Sequence, residues 1–237
     1  MSRVPIRYLP WMLRDLLLAQ GLVLLAISIL IYVVTIRIDP APPVEFGPVG
    51  VLNVVRQSSL ILVLICTGSI VSADRGLGYY RSIFSRPVSP PLYYLQRWLL
   101  GALLLATVVP AYTLAFSLAL GRFPIQWTLV GRMELFYILL GGLIFLISTV
   151  LRSDWLLGLM IFMLHGALSA FRSSPSFHLP AFWEFVYRIF PPFHLVDVSA
   201  PPLTGPQLTH VLLYGAGLVL AALAVLRWRP LGAGGRA

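Results

Sequence analysis

The sequence predicts an all-α integral membrane protein, a single transmembrane domain over residues 1–237 with six spanning helices and both termini in the cytoplasm. Three observations carry that prediction. Hydrophobic residues make up 59% of the chain and charged residues only 11%, with a mean hydropathy of +0.89, whereas a soluble domain is about one quarter charged. So few charges cannot cover a water-facing surface, which excludes disordered, collagen-like and soluble-enzyme classes. Apolar runs of spanning length recur along the chain, and about 20 residues suffice to cross roughly 30 Å of hydrocarbon. Basic residues are also distributed unevenly between alternate loops.

The six spans fall at Leu16 to Ile36, Val51 to Ala73, Leu99 to Leu120, Leu135 to Leu151, Trp155 to Phe171 and Leu208 to Leu226. The first run is too long for the apolar core of a signal peptide, and no small-residue cleavage site follows it. The fourth and fifth are short, separated only by Arg152, Ser153 and Asp154, which read as a tight turn at a membrane face. With the N-terminus inside, the cytoplasmic side holds Arg3, Arg7, Arg14, Arg75, Arg81, Arg86, Arg97, Arg152, Arg227, Arg229 and Arg236. The outer side holds only Arg37, Arg122, Arg132, Arg172 and Arg188, balanced by five acids. That asymmetry sets the orientation.

Residues 1–15 read as a short interfacial helix, with Arg3, Arg7 and Arg14 on one face and Ile6, Trp11 and Met12 supplying apolar surface. Pro10 would break a helix begun before it, so a solvated basic tail is the alternative. The loop Arg37 to Gly50 is too short for a folded domain. The longest cytoplasmic loop runs from Asp74 to Arg97. In it, Tyr79, Tyr80, Ile83 and Phe84 would share one side of a two-turn helix, with Arg81, Ser82 and Ser85 on the other. Arg86-Pro87 ends that helix, and Ser89-Pro90 launches the third span as N-cap and first helical residue. Exposed aromatics on a short rigid element suit docking into a partner's groove; a membrane-surface helix is the alternative. On the outer side, Ala181 to Phe190 places Phe182, Phe185, Val186 and Ile189 on one stripe, with Glu184 and Arg188 spaced i, i+4. It reads as a re-entrant or surface-lying helix broken at Pro191-Pro192.

The missing chemistry is as informative. All 17 basic residues are arginine, and a P-loop needs a lysine to reach the β/γ-phosphates. Schiff-base chemistry fails for the same reason. The single Cys66 excludes an intrachain disulfide and a cysteine-cluster metal site. The charges lie scattered between apolar blocks, so the net charge of +9 is no nucleic-acid signature. No acid lies deep within a span, since Glu134 and Asp154 sit at span edges, and this counts against a proton-coupled carrier. Arg56 is the one charge placed inside a span, about one and a half turns from its outer end. It either snorkels to the headgroups or, with Ser59 and the mid-span His165, lines a translocation path for an anionic substrate. Mid-helix hydroxyls such as Ser59 ordinarily bond back to their own helix. No catalytic constellation, resident cofactor or metal site is expected on this chain. His178 and His194 read as surface groups of the outer segment.

The loop from Asp74 to Arg97 resembles the segment between the second and third spans of type 2 ABC exporter permeases. Its counterparts of that pattern are Asp74 in place of the more usual Glu, then Gly76, the short helix Tyr79 to Ser85, and Ser85-Arg86-Pro87-Val88-Ser89. Elsewhere the likeness is one of layout: an interfacial N-terminal helix, six spans, an outer helical segment before the last span, and the Arg-rich end Arg227-Trp228-Arg229-Pro230. The resemblance implies a transport subunit of a bacterial cytoplasmic membrane. It would pair with a second copy or a similar permease, and two ATP-hydrolysing subunits would carry the ATP and Mg. The ATPase contact would be Asp74, Gly76, Tyr79, Tyr80, Arg81, Ile83, Phe84 and Ser85. Two other readings stand beside it: a haem-binding membrane anchor using His165 and His210, and an ATPase-driven relay that passes force to a periplasmic partner through Phe182, Glu184, Phe185 and Arg188.

Overall fold

A computed structural model describes residues 8–15, 18, 60–68, 70–72, 74, 78, 83–84, 88–120, 127–151, 154–174, 179–197 and 201–228. Among these the chain is mostly helical, with no strand. The elements are α1 (Leu9–Asp15), α2 (Pro90–Leu120), α3 (Trp127–Phe136), a π turn (Tyr137–Gly141), α4 (Gly142–Val150), α5 (Asp154–Ser173), α6 (Ala181–Ile189), α7 (Phe193–Val196) and α8 (Gly205–Trp228). Three stretches among the described residues are long and apolar enough to cross a membrane: Trp127–Val150, Asp154–Ser173 and Gly205–Trp228. They correspond to the last three expected spans. The first expected span apart from Leu18, the first part of the second up to residue 59, and the loop Arg37 to Gly50 lie outside the described residues, while the second is helical over residues 60–67.

The helices run past both ends of the expected fifth apolar run and past the start of the fourth. Trp127–Val150 is one rod of 24 residues and Asp154–Ser173 one of 20. Arg132 and Glu134, expected in the outer loop, are helical residues of α3. Both have fair intrinsic helix propensity, so a charge alone does not end a helix. Asp154, expected in a turn, opens α5 and is buried. Its Oδ1 accepts the Trp155 N–H at 2.8 Å and its Oδ2 accepts the Ser72 hydroxyl at 2.8 Å. A carboxylate suits the positive end of a helix.

The rod α3–π–α4 is the centre of the bundle. In its apolar window 67% of residues are buried, against 22% in α5 and 22% in α8, so α5 and α8 are peripheral and turn apolar faces outward. Met160, Met163, Leu213 and Leu220 are among the exposed residues. An outward apolar face is what a lipid solvent selects. Helix α8 packs along α4, and α5 packs on α4 from another side. Without a hydrophobic drive between helices in lipid, close approach depends on small residues. Gly142 meets Gly215, Leu218 and Val219 of α8, and Gly215 meets Ile138 of the π turn. Buried hydroxyls return to their own helices, Thr67 to Val63 O at 2.7 Å and Ser148 to Phe145 O at 2.8 Å.

Helix α2 starts at Pro90, as the Ser89-Pro90 pair predicts, with Tyr93 N–H bonded to Ser89 O at 3.0 Å. Its 31 residues make it about 46 Å long, longer than a hydrocarbon core. Its first two turns therefore form a separate, tyrosine-rich base. Helix α1 docks there: Met12 is buried, and the Tyr8 ring meets Tyr93 edge-on at 5.9 Å. Pro10 sits in its first turn, where the missing N–H costs nothing.

Candidate functional site

At one end of the bundle, the residues of the 74–97 loop converge on the base of α2. Asp74 is buried, and both its oxygens lie 3.4 Å from Arg97 Nη1, which is also 3.3 Å from Ile70 O. One guanidinium nitrogen thus ties the 70–74 segment to α2. Tyr94 stands in the field of both charges. Phe84 meets Tyr93 at 5.7 Å and Tyr94 at 5.9 Å, edge-on in both cases, and Tyr93 meets Tyr94 edge-on at 5.1 Å. Ile83 is buried. The expectation that Ile83 and Phe84 belong to a free exposed face is therefore corrected, because Ile83 is buried and the Phe84 ring packs onto α2. Edge-to-face rings contribute beyond their buried area, so an aromatic there gains more from Tyr93 and Tyr94 than from water. Gly78 has a φ of 72°, a left-handed conformation open to glycine at no steric cost. Gly76, Tyr79, Tyr80, Arg81 and Ser85 lie outside the described residues, as do Arg56 and Ser59.

At the opposite end, residues 179–197 and Pro201 form a cap tied to three helices. Tyr187 is the buried residue of α6, and His165 of α5 is buried beneath it. The Tyr187 hydroxyl and His194 Nδ1 are 3.2 Å apart. The His165 ring lies nearly parallel to both, at 5.0 Å from Tyr187 and 5.7 Å from His194. Phe193 closes the cluster edge-on to His165 at 5.3 Å. Arg172 sits 5.0 Å over the Tyr187 ring and 3.3 Å from Glu184. Glu184 also meets Arg188 at 3.6 Å in the expected i, i+4 pair. From α3, Arg132 donates to the carbonyls of Asp197 and Pro201; from α8, the Tyr214 hydroxyl donates to Ile189 O. These bonds satisfy carbonyls that the breaks at Pro191-Pro192 and before Gly205 leave open.

The helix α6 is inverted relative to a water-soluble amphipathic helix. Phe182, Phe185 and Ile189 are exposed, while Tyr187 and Glu184 face the bundle. The sequence shows the stripe but not its direction. It also does not show that His165, Tyr187 and His194 meet; they lie on three different elements, and no local spacing joins them. His194, expected at the surface, is exposed over part of its area but shares its other face with His165 and Tyr187. His165 and His210 are not arranged as paired axial ligands: His165 stacks on Tyr187 and His194, and His210 is exposed beside Tyr214. Among the described residues no three of His, Cys, Asp and Glu converge as a metal site would need.

Burial first, then the charge of Arg172 and the field of His210, hold His194 below the usual histidine range. The folded state therefore resists a proton that the unfolded state accepts. Its stability is full above the ordinary histidine pKa and falls as pH drops through it. Once each rate is divided by the intrinsic exchange rate at its own pH, amide protection in α6 and α7 is expected to be a few-fold lower at about pH 5 than at about pH 7.5. The effect is small because His194 is partly solvated. Equal protection factors at both pH values would remove His194 as a determinant of the cap.

Comparison with protein-family models, with curated proteins and with solved structures finds no match for this chain.

Proposed function

We propose that this chain is the membrane-spanning subunit of an ATP-driven ABC exporter in a bacterial cytoplasmic membrane. It would be coupled to separate ATPase subunits through its 74–97 loop and paired with a second permease copy. The observation that carries this reading is the corner that Asp74, Phe84, Tyr93, Tyr94 and Arg97 build at the base of α2. A coupling element transmits force only if its root cannot rotate. Here an ion pair and an aromatic cluster fix that root to one long helix. ATP binding on the partner would favour one arrangement of the paired loops, and α2 would carry the change to the bundle as a population shift. The absence of lysine agrees, since a subunit without a P-loop needs its nucleotide chemistry elsewhere.

The placement of Phe84 decides how to test this. Phe84→Asp would put a charge into the aromatic corner and disturb the membrane fold itself. Tyr80→Asp combined with Arg81→Glu changes the loop and keeps all five residues of that corner. This variant is expected to retain the thermal midpoint of the unaltered chain while losing at least about tenfold in ATPase co-purification from native membranes. Undiminished co-purification would sink the assignment.

A second reading has its own support. The outward stripe of Phe182, Phe185 and Ile189 offers a surface by which the same machine could pass force to an outer partner rather than move a solute. A periplasmic protein cross-linked to Phe185, with no solute transported, would favour it.

A further inference from the structure

Among the described residues Glu134 is an acid with no ion-pair partner. It lies seven residues into the 24-residue rod Trp127–Val150, about 10 Å along the axis. With that rod centred on a hydrocarbon core of roughly 30 Å, its backbone is several ångströms below the boundary. Its Oε1 is enclosed and has no hydrogen-bond partner. No ion pair reaches it among the described residues. The nearby groups that could neutralise it are otherwise engaged. Arg132, on the same helix, directs its two arms to Asp197 O and Pro201 O. The Tyr137 hydroxyl, one turn on, donates to Trp98 O at 2.7 Å. Among the described residues, the Cys66 thiol and Tyr137 feel the Glu134 charge, and neither carries a positive one. The π turn begins three residues later, and such turns concentrate at functional positions.

We propose that Glu134 is a proton-binding site inside the membrane, a carboxyl that takes up and releases a proton as its half of the bundle exchanges with water. The physical ground is the cost of the alternative. An ionised carboxylate with no counter-charge in a low-dielectric setting costs several kcal/mol, whereas the neutral acid costs only an unmade hydrogen bond. A carboxyl at this depth is expensive to keep as a structural residue, since Gln or Leu would fill the same helix position. The inference rests on the chain spanning a membrane through Trp127–Val150, and not on the ATPase assignment. It also moves Glu134 inward from the span edge at which the sequence places it.

The test is carbodiimide labelling of the full chain in native membrane vesicles. A protonated carboxyl adds across one C=N bond of a carbodiimide, its proton going to nitrogen and its oxygen to carbon. The adduct then rearranges to a stable N-acylurea that retains every atom. Dicyclohexylcarbodiimide, which partitions into lipid, is expected to label the peptide containing Glu134, as read by mass spectrometry. Labelling should fall about tenfold between about pH 6 and about pH 9. Glu134→Asp should keep the label on that peptide and Glu134→Gln should abolish it. A water-soluble carbodiimide should label it poorly. Three results would each overturn the proposal. Absence of label at every pH would mean an ionised group held by a cation, for which Arg56 is the named candidate. Equal labelling by the water-soluble reagent would mean a surface acid. Labelling unchanged across the pH range would mean an acid that never exchanges its proton. None of these outcomes depends on an ATPase partner, so they leave the exporter reading to its own experiment.

Discussion

Gly215→Val is expected to cost on the order of 3 kcal/mol and to lower the thermal midpoint of the detergent-solubilised chain by several degrees. A Cβ at 215 would fall on Ile138 Cγ2 and lie 3.2 Å from Ile138 O. A flexible methyl could turn aside. The carbonyl cannot, because it belongs to the π turn and already receives the Gly142 N–H. The helix α8 would have to back away from α4, breaking the approach of Gly142 to Gly215, Leu218 and Val219. In lipid that loss is not recovered elsewhere, since close packing of small residues is what holds such helices together. Gly217→Val is the matched control. It sits two residues along the same helix with nothing within 4 Å of its virtual Cβ, and its midpoint should stay close to that of the unaltered chain. Equal midpoints for the two variants would show that α8 is not seated on the π turn.

Arg97→Ala is the second large effect. Asp74 is nearly fully buried, and the guanidinium 3.4 Å away supplies a counter-charge. Removing one member of a buried pair costs about 3 kcal/mol, most of it the penalty on the charge left behind. The low end of the usual range applies because Arg97 keeps some solvent contact. Adding Asp74→Asn to Arg97→Ala should recover part of the loss, and the double-mutant cycle isolates the coupling between them. Additive costs would mean that the pair does not anchor the loop. Under the exporter reading, Arg97→Ala should also lower transport per ATP hydrolysed, because the loop would turn on a loosened root.

Several features were legible before any tertiary contact was known. Ser89-Pro90 marked the start of α2 because a proline suits the first turn of a helix. The Pro191-Pro192 break and the Glu184–Arg188 pair were readable from local spacing. That Arg132 and Glu134, which read as loop charges, continue the helix of the fourth apolar run was not legible. Whether a charge sits within a helix depends on what it meets in space, here the carbonyls of Asp197 and Pro201, more than sixty residues away. The packed corner at Phe84 was misjudged for the same reason. An aromatic on a short helix can face water, lipid or protein, and only Tyr93 and Tyr94 decide which. Likewise, the meeting of His165, Tyr187 and His194 has no local signature.

The amino-acid sequence alone determined that this protein lives in lipid and where its longer apolar segments run, because hydropathy is a local sum over neighbouring residues. Tertiary structure decided which sides of those segments face inward. Helices such as α2 and α8 are apolar nearly all round and carry no stripe to separate core from lipid. Their orientation is set by close approach at glycines and by a few polar contacts, and those depend on residues far apart in the chain.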